Sequence, residues 1–421
     1  MGKRNTTSTG GRPGRRRLLV ATVAFGLVIF AAACGDDDTD DDGASGTASE
    51  PTASSSTGDS DAGEDTDGED AAADEDTAGE DTAVDEDTAG EGSGTGVGLD
   101  ANGDGEIRIG IAAAGPRDDG AYYQAVVDAA EAFSVENGFG EVIVVDNIQA
   151  ADAATELENL AQQPIDIMIV GASEIAEPMP DLAAEYPDIF WYCNCGAGFP
   201  AGEFYLQSED AGSEIAYTAG YAAGLVLRDR GGDAVTMIGC CDLGFEVEHA
   251  LAFELGLSDV DESFAFTYVP SGDFPFDFDN IQNATAAFEN AVAEGADVIY
   301  PYLGGAHEPV VQLANEGGLA VLSAGASDVC SRDGALAWDI AVRFDGGDYV
   351  REIFPQILDG SAQEGDVILY APGAEPDVAG AIICGATPEQ QAEMDQVYAL
   401  MASGELDAVF GEIAAEAFGG G

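Results

Sequence analysis

From about residue 106 onward, short runs of Val, Ile, Tyr and Phe alternate with segments whose apolar residues recur at helical spacing, and this alternation limits the chain more than any other feature. Candidate strands cover 107–113, 142–145, 165–170, 189–192, 204–207, 234–238, 264–269, 298–302, 320–323, 336–341 and 367–370. Between the first two, Tyr122, Val126, Ala129 and Phe133 fall at i, i+4, i+7 and i+11, which makes one apolar helix face. Strands that are apolar throughout and separated by helices predict parallel sheets covered on both faces. The roughly 315 residues of this region exceed one comfortable core, so the expectation is two α/β lobes.

What precedes the alternation does not belong to the fold. Residues 35–104 hold 25 acids and no base, with almost no large apolar side chain. The near-repeats 74–80 and 85–91, both Asp-Glu-Asp-Thr-Ala-Gly-Glu, mark low complexity. Such a segment buries too little surface to offset its ordering entropy, and its like charges extend it into a tether. At its end, Asp100, Asn102, Asp104 and Gly105 open like a calcium loop, but the twelfth position holds Ile111 where the loop needs Glu. Gly92, Gly94, Gly96 and Gly98 precede the first strand instead of following it, so they read as linker glycines.

Ahead of the tether, Arg12, Arg15, Arg16 and Arg17 lead into an apolar run, 18–33, that ends Ala31-Ala32-Ala33-Cys34. The run is shorter than the ~20 residues that span a bilayer and reads as a signal-peptide core. Small residues before Cys34 mark a lipoprotein signal, with the cysteine thiol as lipidation site, although Ala31 stands where that signal usually has Leu. The remainder is then expected outside the cytoplasm, anchored by lipid to the cell membrane.

Charge narrows the partners. The chain has 13 Lys+Arg against 81 Asp+Glu, a formal net charge of −68. Nucleic acid and anionic membrane surfaces are repelled by such a chain. Lys3 is the only lysine, which excludes Schiff-base and Walker-type chemistry. Acidity on this scale suits a saline environment that screens self-repulsion.

Ligands of parallel sheets bind outside the carboxyl ends of the strands. The first candidate strand runs into Gly115-Pro116-Arg117-Asp118-Asp119-Gly120-Ala121-Tyr122-Tyr123-Gln124. Two carboxylates and two tyrosines there suit a small, polar, partly flat ligand; equally, Asp118 or Asp119 caps the following helix and Tyr122 belongs to the core. Of the two histidines, His249 falls within a helical pattern as a surface or core-edge residue. His307 follows a candidate strand and borders the cleft. Neither has a metal-ligand partner at the right spacing, and no Ser/His/Asp arrangement or nucleophile elbow can be placed, so neither metal, cofactor nor enzyme activity is expected. Six cysteines remain beyond Cys34: Cys193, Cys195, Cys240, Cys241, Cys330 and Cys384. In an exported chain they suggest up to three disulfides among 15 connectivities, with cross-linking of the 193/195 and 240/241 pairs left open.

The segment Asp118-Asp119-Gly-Ala-Tyr122-Tyr123-Gln124 resembles the Asp-Asp-x-Ser-Phe-Asn-Gln segment of the basic membrane lipoprotein (BMP/PnrA-like) family. Residues 185–190, Ala219-Gly220, Phe253-Glu-Leu-Gly256, and 295–300 followed by Gly304-Gly305 support the likeness, which covers about 106–415. These are substrate-binding lipoproteins of ABC importers, several of them for purine nucleosides. The resemblance implies a type I periplasmic-binding-protein fold: two Rossmann-like lobes with parallel sheets, a ligand cleft between them, and three crossovers, here near 207–211, 340–344 and 365–368. It implies that Asp119 meets the ligand, with Asp118 beside it, that Tyr122 replaces a stacking Phe, and that Tyr123 stands for Asn. Gly304 and Gly305 would form a close-approach turn, and Arg343 would occupy the place of a ribose-facing Lys. Ala121 replaces Ser, and Ala324 stands where a ligand-binding Asp is expected.

The expected layout is therefore a signal peptide over 1–34, a tether over 35–104, an N-terminal lobe from 105–209 and 343–367, a C-terminal lobe from 210–342 and 368–385, and a C-terminal helical segment over 386–421. The expected function is a lipid-anchored, monomeric receptor that passes a purine nucleoside or similar small polar ligand to an ABC permease. A sensor signalling to a membrane kinase, or a sugar receptor of the same fold, are the alternatives.

Overall fold

The computed structural model describes residues 98–419 apart from 101, 197 and 273–275, all within one compact unit. The leader with Cys34 and the tether as far as residue 97 lie outside the described residues.

The first lobe opens with β1 (Ile109–Ala113), α1 (Tyr122–Asn137), β2 (Ile143–Val145), α2 (Ala153–Ala161) and β3 (Ile167–Gly171). It continues through α3 (Met179–Glu185), β4 (Phe190–Asn194) and β5 (Leu206–Asp210). The chain then crosses into α4 (Gly212–Arg230), β6 (Ala234–Gly239), α5 (Gly244–Val260) and β7 (Ala265–Pro270). Next come α6 (Ile281–Glu294), β8 (Val298–Pro301), α7 (His307–Gly317), β9 (Ala320–Val321) and β10 (Ile340–Phe344). The last stretch is α8 (Gly346–Asp359), β11 (Val367–Tyr370), β12 (Ala379–Ile383), α9 (Pro388–Ser403) and α10 (Asp407–Phe418).

The strands of the first lobe form a parallel sheet in the order β11-β5-β4-β3-β1-β2. Those of the second lie in the order β7-β6-β8-β9, again parallel. The order reverses around the first strand of each lobe, which is how helices come to cover both faces. β1 and β3 are buried along their whole length, so their uninterrupted apolar runs meet covered faces on both sides. β10 continues from the second sheet through a parallel Leu322–Ile340 bridge and pairs antiparallel with β12.

Two elements differ from the sequence reading. β11 belongs to the first lobe through Tyr370, which pairs with Asp210, so the third crossover follows residue 370 instead of 365–368. The expected boundary cut the strand because its apolar pattern carries no information about which sheet it joins. β12 was not expected at all. Its Ala-Gly-Ala start has low strand propensity, and the strand is held by register with β10 and by burial of Ala379 and Ala381.

Two helices of the second lobe, α4 and α5, are held by close backbone packing. A Cβ on Gly220 of α4 would lie 2.0 Å from the Phe253 carbonyl oxygen, and one on Gly256 of α5 would lie 2.1 Å from that of Tyr217. Those two glycines let α4 and α5 touch along their length. The expected C-terminal helical segment is α9 and α10, which pack against α4 and α5. There Arg228 of α4 makes a two-pronged pair with Glu393 of α9, at 3.0 and 2.8 Å.

The six cysteines pair as Cys193–Cys195, Cys240–Cys241 and Cys330–Cys384. The first two are local, so the 193/195 and 240/241 pairs are not cross-linked to each other. Only the third joins distant segments, 54 residues apart, with Cα atoms 5.0 Å from one another.

Candidate functional site

A cavity of about 130 Å³ opens where the carboxyl ends of the strands of both lobes face each other. From the first lobe come Asp119, Tyr122 and Tyr123 after β1, Ser173 and Glu174 after β3, Cys195 and Gly196 after β4, and Asp210 at the end of β5. The second lobe supplies Phe245, Glu248 and His249 from α5, then Phe278, Tyr302, Leu303 and Gly304 around β8. Ala324 follows β9, and Phe344 ends β10.

Asp119 is buried, and its carboxylate accepts from the backbone N–H groups of Ala121 at 2.9 Å, Gln124 at 3.0 Å and Tyr123 at 3.3 Å. It both caps α1 and lines the cavity. Burial raises its pKa, and those N–H groups oppose the rise. Asp118 is exposed and does not reach the cavity. Tyr122 and Tyr123 meet edge to face with centroids 5.5 Å apart. The Tyr122 hydroxyl donates to the Asn194 carbonyl oxygen at 2.8 Å, which fixes its ring between α1 and the end of β4.

Gly304 lines the cavity, while Gly305 stands behind it. Their lack of side chains serves Asp279. A Cβ on Gly304 would lie 2.7 Å from Asp279 Oδ1, and the Gly305 N–H donates to that same oxygen.

Arg343 points away from the cavity. Its guanidinium donates to the carbonyl oxygens of Asp377 and Ala379, both at 2.9 Å, to the Asp377 carboxylate at 2.7 Å, and to the Tyr398 hydroxyl at 3.0 Å. Successive strand residues face opposite sides, so Phe344 fills the cavity wall while Arg343 staples β10 to α9. The histidines also exchange roles. His249 is buried in the cavity wall, its Nε2 2.8 Å from the Tyr300 hydroxyl, and burial drives its pKa down to about 3, so the ring is neutral. His307 is buried away from the cavity, where its Nε2 accepts from the Ala324 N–H at 3.3 Å and its ring packs on Trp338.

Sequence reasoning missed three carboxylates. Glu174 lines the cavity with Oε2 buried and without a hydrogen-bond partner, and burial raises its pKa. Asp210 accepts from the Tyr349 hydroxyl, and burial pushes its pKa up to about 7. Glu248 accepts from the Ser213 hydroxyl at 2.6 Å and is likewise raised by burial. Two aromatic stacks were also missed: Phe245 on Phe278 at 6.3 Å and Tyr302 on Phe344 at 5.5 Å. The signal that finds most of these residues is position, since Glu174, Asp210, Tyr302 and Phe344 each sit at or just beyond a strand's carboxyl end. Among the described residues, no group of three or more His, Cys, Asp or Glu side chains is placed to hold a metal ion. No described helix is long and apolar enough to cross a membrane.

Two parallel-sheet lobes, chain crossings between them and a cavity of aromatic walls and buried acids at the facing strand ends define a two-lobed solute-binding protein. Its family follows from the sequence match: the chain belongs to the Bmp family of PnrA-like ABC transporter substrate-binding proteins, whose model matches residues 106–335. As such it binds a small molecule outside the cytoplasm on behalf of a membrane permease. Solved structures share the fold. An ABC transporter solute-binding protein from Conexibacter woesei aligns at 19% identity and a TM-score of 0.54, covering 71% of this chain and 97% of its own. One from Aeropyrum pernix aligns at 14% and 0.55, covering 75% and 92%. A transcriptional activator of the comK gene from Bacillus halodurans aligns at 16% and 0.53, covering 69% and 96%. Among curated proteins, none matches the chain in sequence.

Proposed function

We propose that the protein is a lipid-anchored receptor, fixed to the membrane through Cys34, that closes its lobes around a nucleoside-like ligand and delivers it to an ABC permease. The cavity carries this reading: Tyr122 and Tyr123 from one lobe face Tyr302 and Phe344 from the other, so a flat ring is contacted from both sides while carboxylates accept from its polar edge. Closure around such a ring excludes water and strengthens those polar contacts. The tether over 35–104 holds the body off the membrane, and the receptor works as a monomer.

Thermal shift of the full chain in high salt, against nucleosides, free bases, sugars and amino acids, tests this proposal. A ligand that binds only the folded state raises the melting temperature by mass action. A rise with nucleosides alone supports the reading, whereas a rise with sugars alone retires the nucleoside and keeps the receptor. Lipidation is tested separately. Cys34→Ala should release the protein from the membrane fraction, and its retention there would remove the anchor from the proposal.

A further inference from the structure

The lining of the cavity is unbalanced in charge. Asp119, Glu174, Asp210 and Glu248 all face it, and no Arg or Lys is among its lining residues. The nearby arginines are otherwise engaged. Arg343 is held by Asp377 and Tyr398 on the far side of β10, and Arg332 pairs with Asp328 outside the cavity. His249 supplies no positive charge either, because its Nε2 is shared with the Tyr300 hydroxyl in a buried setting.

The four carboxylates are not equivalent. Asp119 spends its acceptors on three backbone N–H groups. Glu248 and Asp210 each take one hydroxyl, from Ser213 and Tyr349. Glu174 differs from these, since its Oε2 is buried in the cavity wall without a hydrogen-bond partner, although the Tyr123 hydroxyl also interacts with its carboxylate. A buried carboxylate oxygen without a donor is costly to keep, so the missing donor belongs to whatever fills the cavity. A neutral hydroxyl satisfies one oxygen but leaves the excess negative charge in place. A phosphate or carboxylate on the ligand adds to that excess and has no cation to meet it. A positively charged nitrogen both donates and neutralises, and the Phe245–Phe278 and Tyr302–Phe344 stacks offer π-faces that attract it.

We propose that the ligand is an organic cation with a flat ring, seated with its positive nitrogen toward Glu174 and Asp210. This deepens the receptor reading above and rests on it: the ring is nucleoside-like in shape, and the charge is what the cavity selects.

The test uses pairs that differ in charge and little else, titrated into the full chain by calorimetry in high salt. One pair is the isomers 1-methyladenosine, a cation at neutral pH, and N6-methyladenosine, which is neutral. The other is benzamidine and benzamide. The expected result is that the cationic member of at least one pair binds tenfold or more tighter than its neutral partner. Glu174→Gln should bring that ratio down toward one while its melting temperature without ligand stays level or rises. Asp210→Asn serves as the second variant should Glu174→Gln fail to fold. Neutral members that bind as tightly as their cationic partners, or a preference that survives both substitutions, would overturn the charge assignment and leave the receptor standing. Absence of binding by both pairs and by every nucleoside, base, sugar and amino acid would overturn the receptor reading and this inference with it.

Discussion

At the scale of single residues, burial and geometry decide what a given side chain does, and Arg343 illustrates this. Its place in the sequence implied a ligand contact, yet it makes five hydrogen bonds that tie β10 to residues 377–380 and α9. Lysine cannot reproduce that planar fork. Arg343→Lys should therefore lower stability by about 1–3 kcal/mol with ligand affinity unchanged. Denaturant melts and a titration together check this; a loss of affinity at constant stability would return Arg343 to the site. Asp210 makes the opposite case. Its pKa, about 7 in the folded protein against an ordinary 3.8, means that folding favours the protonated carboxyl. The resulting penalty grows as pH rises from about 4 toward 7 and stays constant above. Tyr349 donates to this carboxyl, while Glu209 and Glu248 are the acids that repel its charge. Asp210→Asn should remove the penalty and gain about 2 kcal/mol at pH 8 relative to pH 4, roughly half the full linkage value because Asp210 keeps partial exposure at the cavity. Stability curves of both proteins across that window test it, and parallel curves would show that Asp210 ionises normally.

Among the elements, the helix pair α4–α5 of the second lobe depends on two glycines whose role is contact instead of flexibility. The atoms a Cβ would strike at Gly220 and Gly256 are backbone carbonyl oxygens, which cannot rotate aside. Gly220→Ala should push α4 from α5 and cost about 3 kcal/mol, the upper part of the overpacking range. A fall in the urea midpoint at constant slope measures this, and an unchanged midpoint would mean the helices slide freely. The strand pattern was legible because fully buried strands must be apolar, and eleven candidate runs anticipated β1 to β11 with boundaries displaced by a few residues. β12 was illegible because its small residues are recruited by register with β10 and not by their own preference. The site was partly legible for a similar reason. Asp119, Tyr122, Tyr123 and Gly304 sit in a recognisable loop or turn, whereas Glu174, Asp210 and Glu248 are ordinary acids until two lobes bring them together.

Across the whole molecule, a formal charge of −68 works against compactness through self-repulsion. Surface repulsion of this kind is screened within about 3 Å at 1 M salt, against about 10 Å at 0.1 M. The melting temperature should climb steadily between those concentrations, and the gain should be similar in sodium and potassium chloride because it arises from screening. A flat response would indicate that the acids are already well separated.

The sequence by itself determined the fold class, the acidic composition of residues 35–104 and the family, since each depends on composition, motif or local periodicity that survives without neighbours. Tertiary structure alone decided which sheet receives β11, where Arg343 points, how the cysteines pair, and that several distant acids share one cavity. Those outcomes depend on distances between segments far apart in the chain, and nothing in local sequence encodes such a distance until the backbone has closed around it.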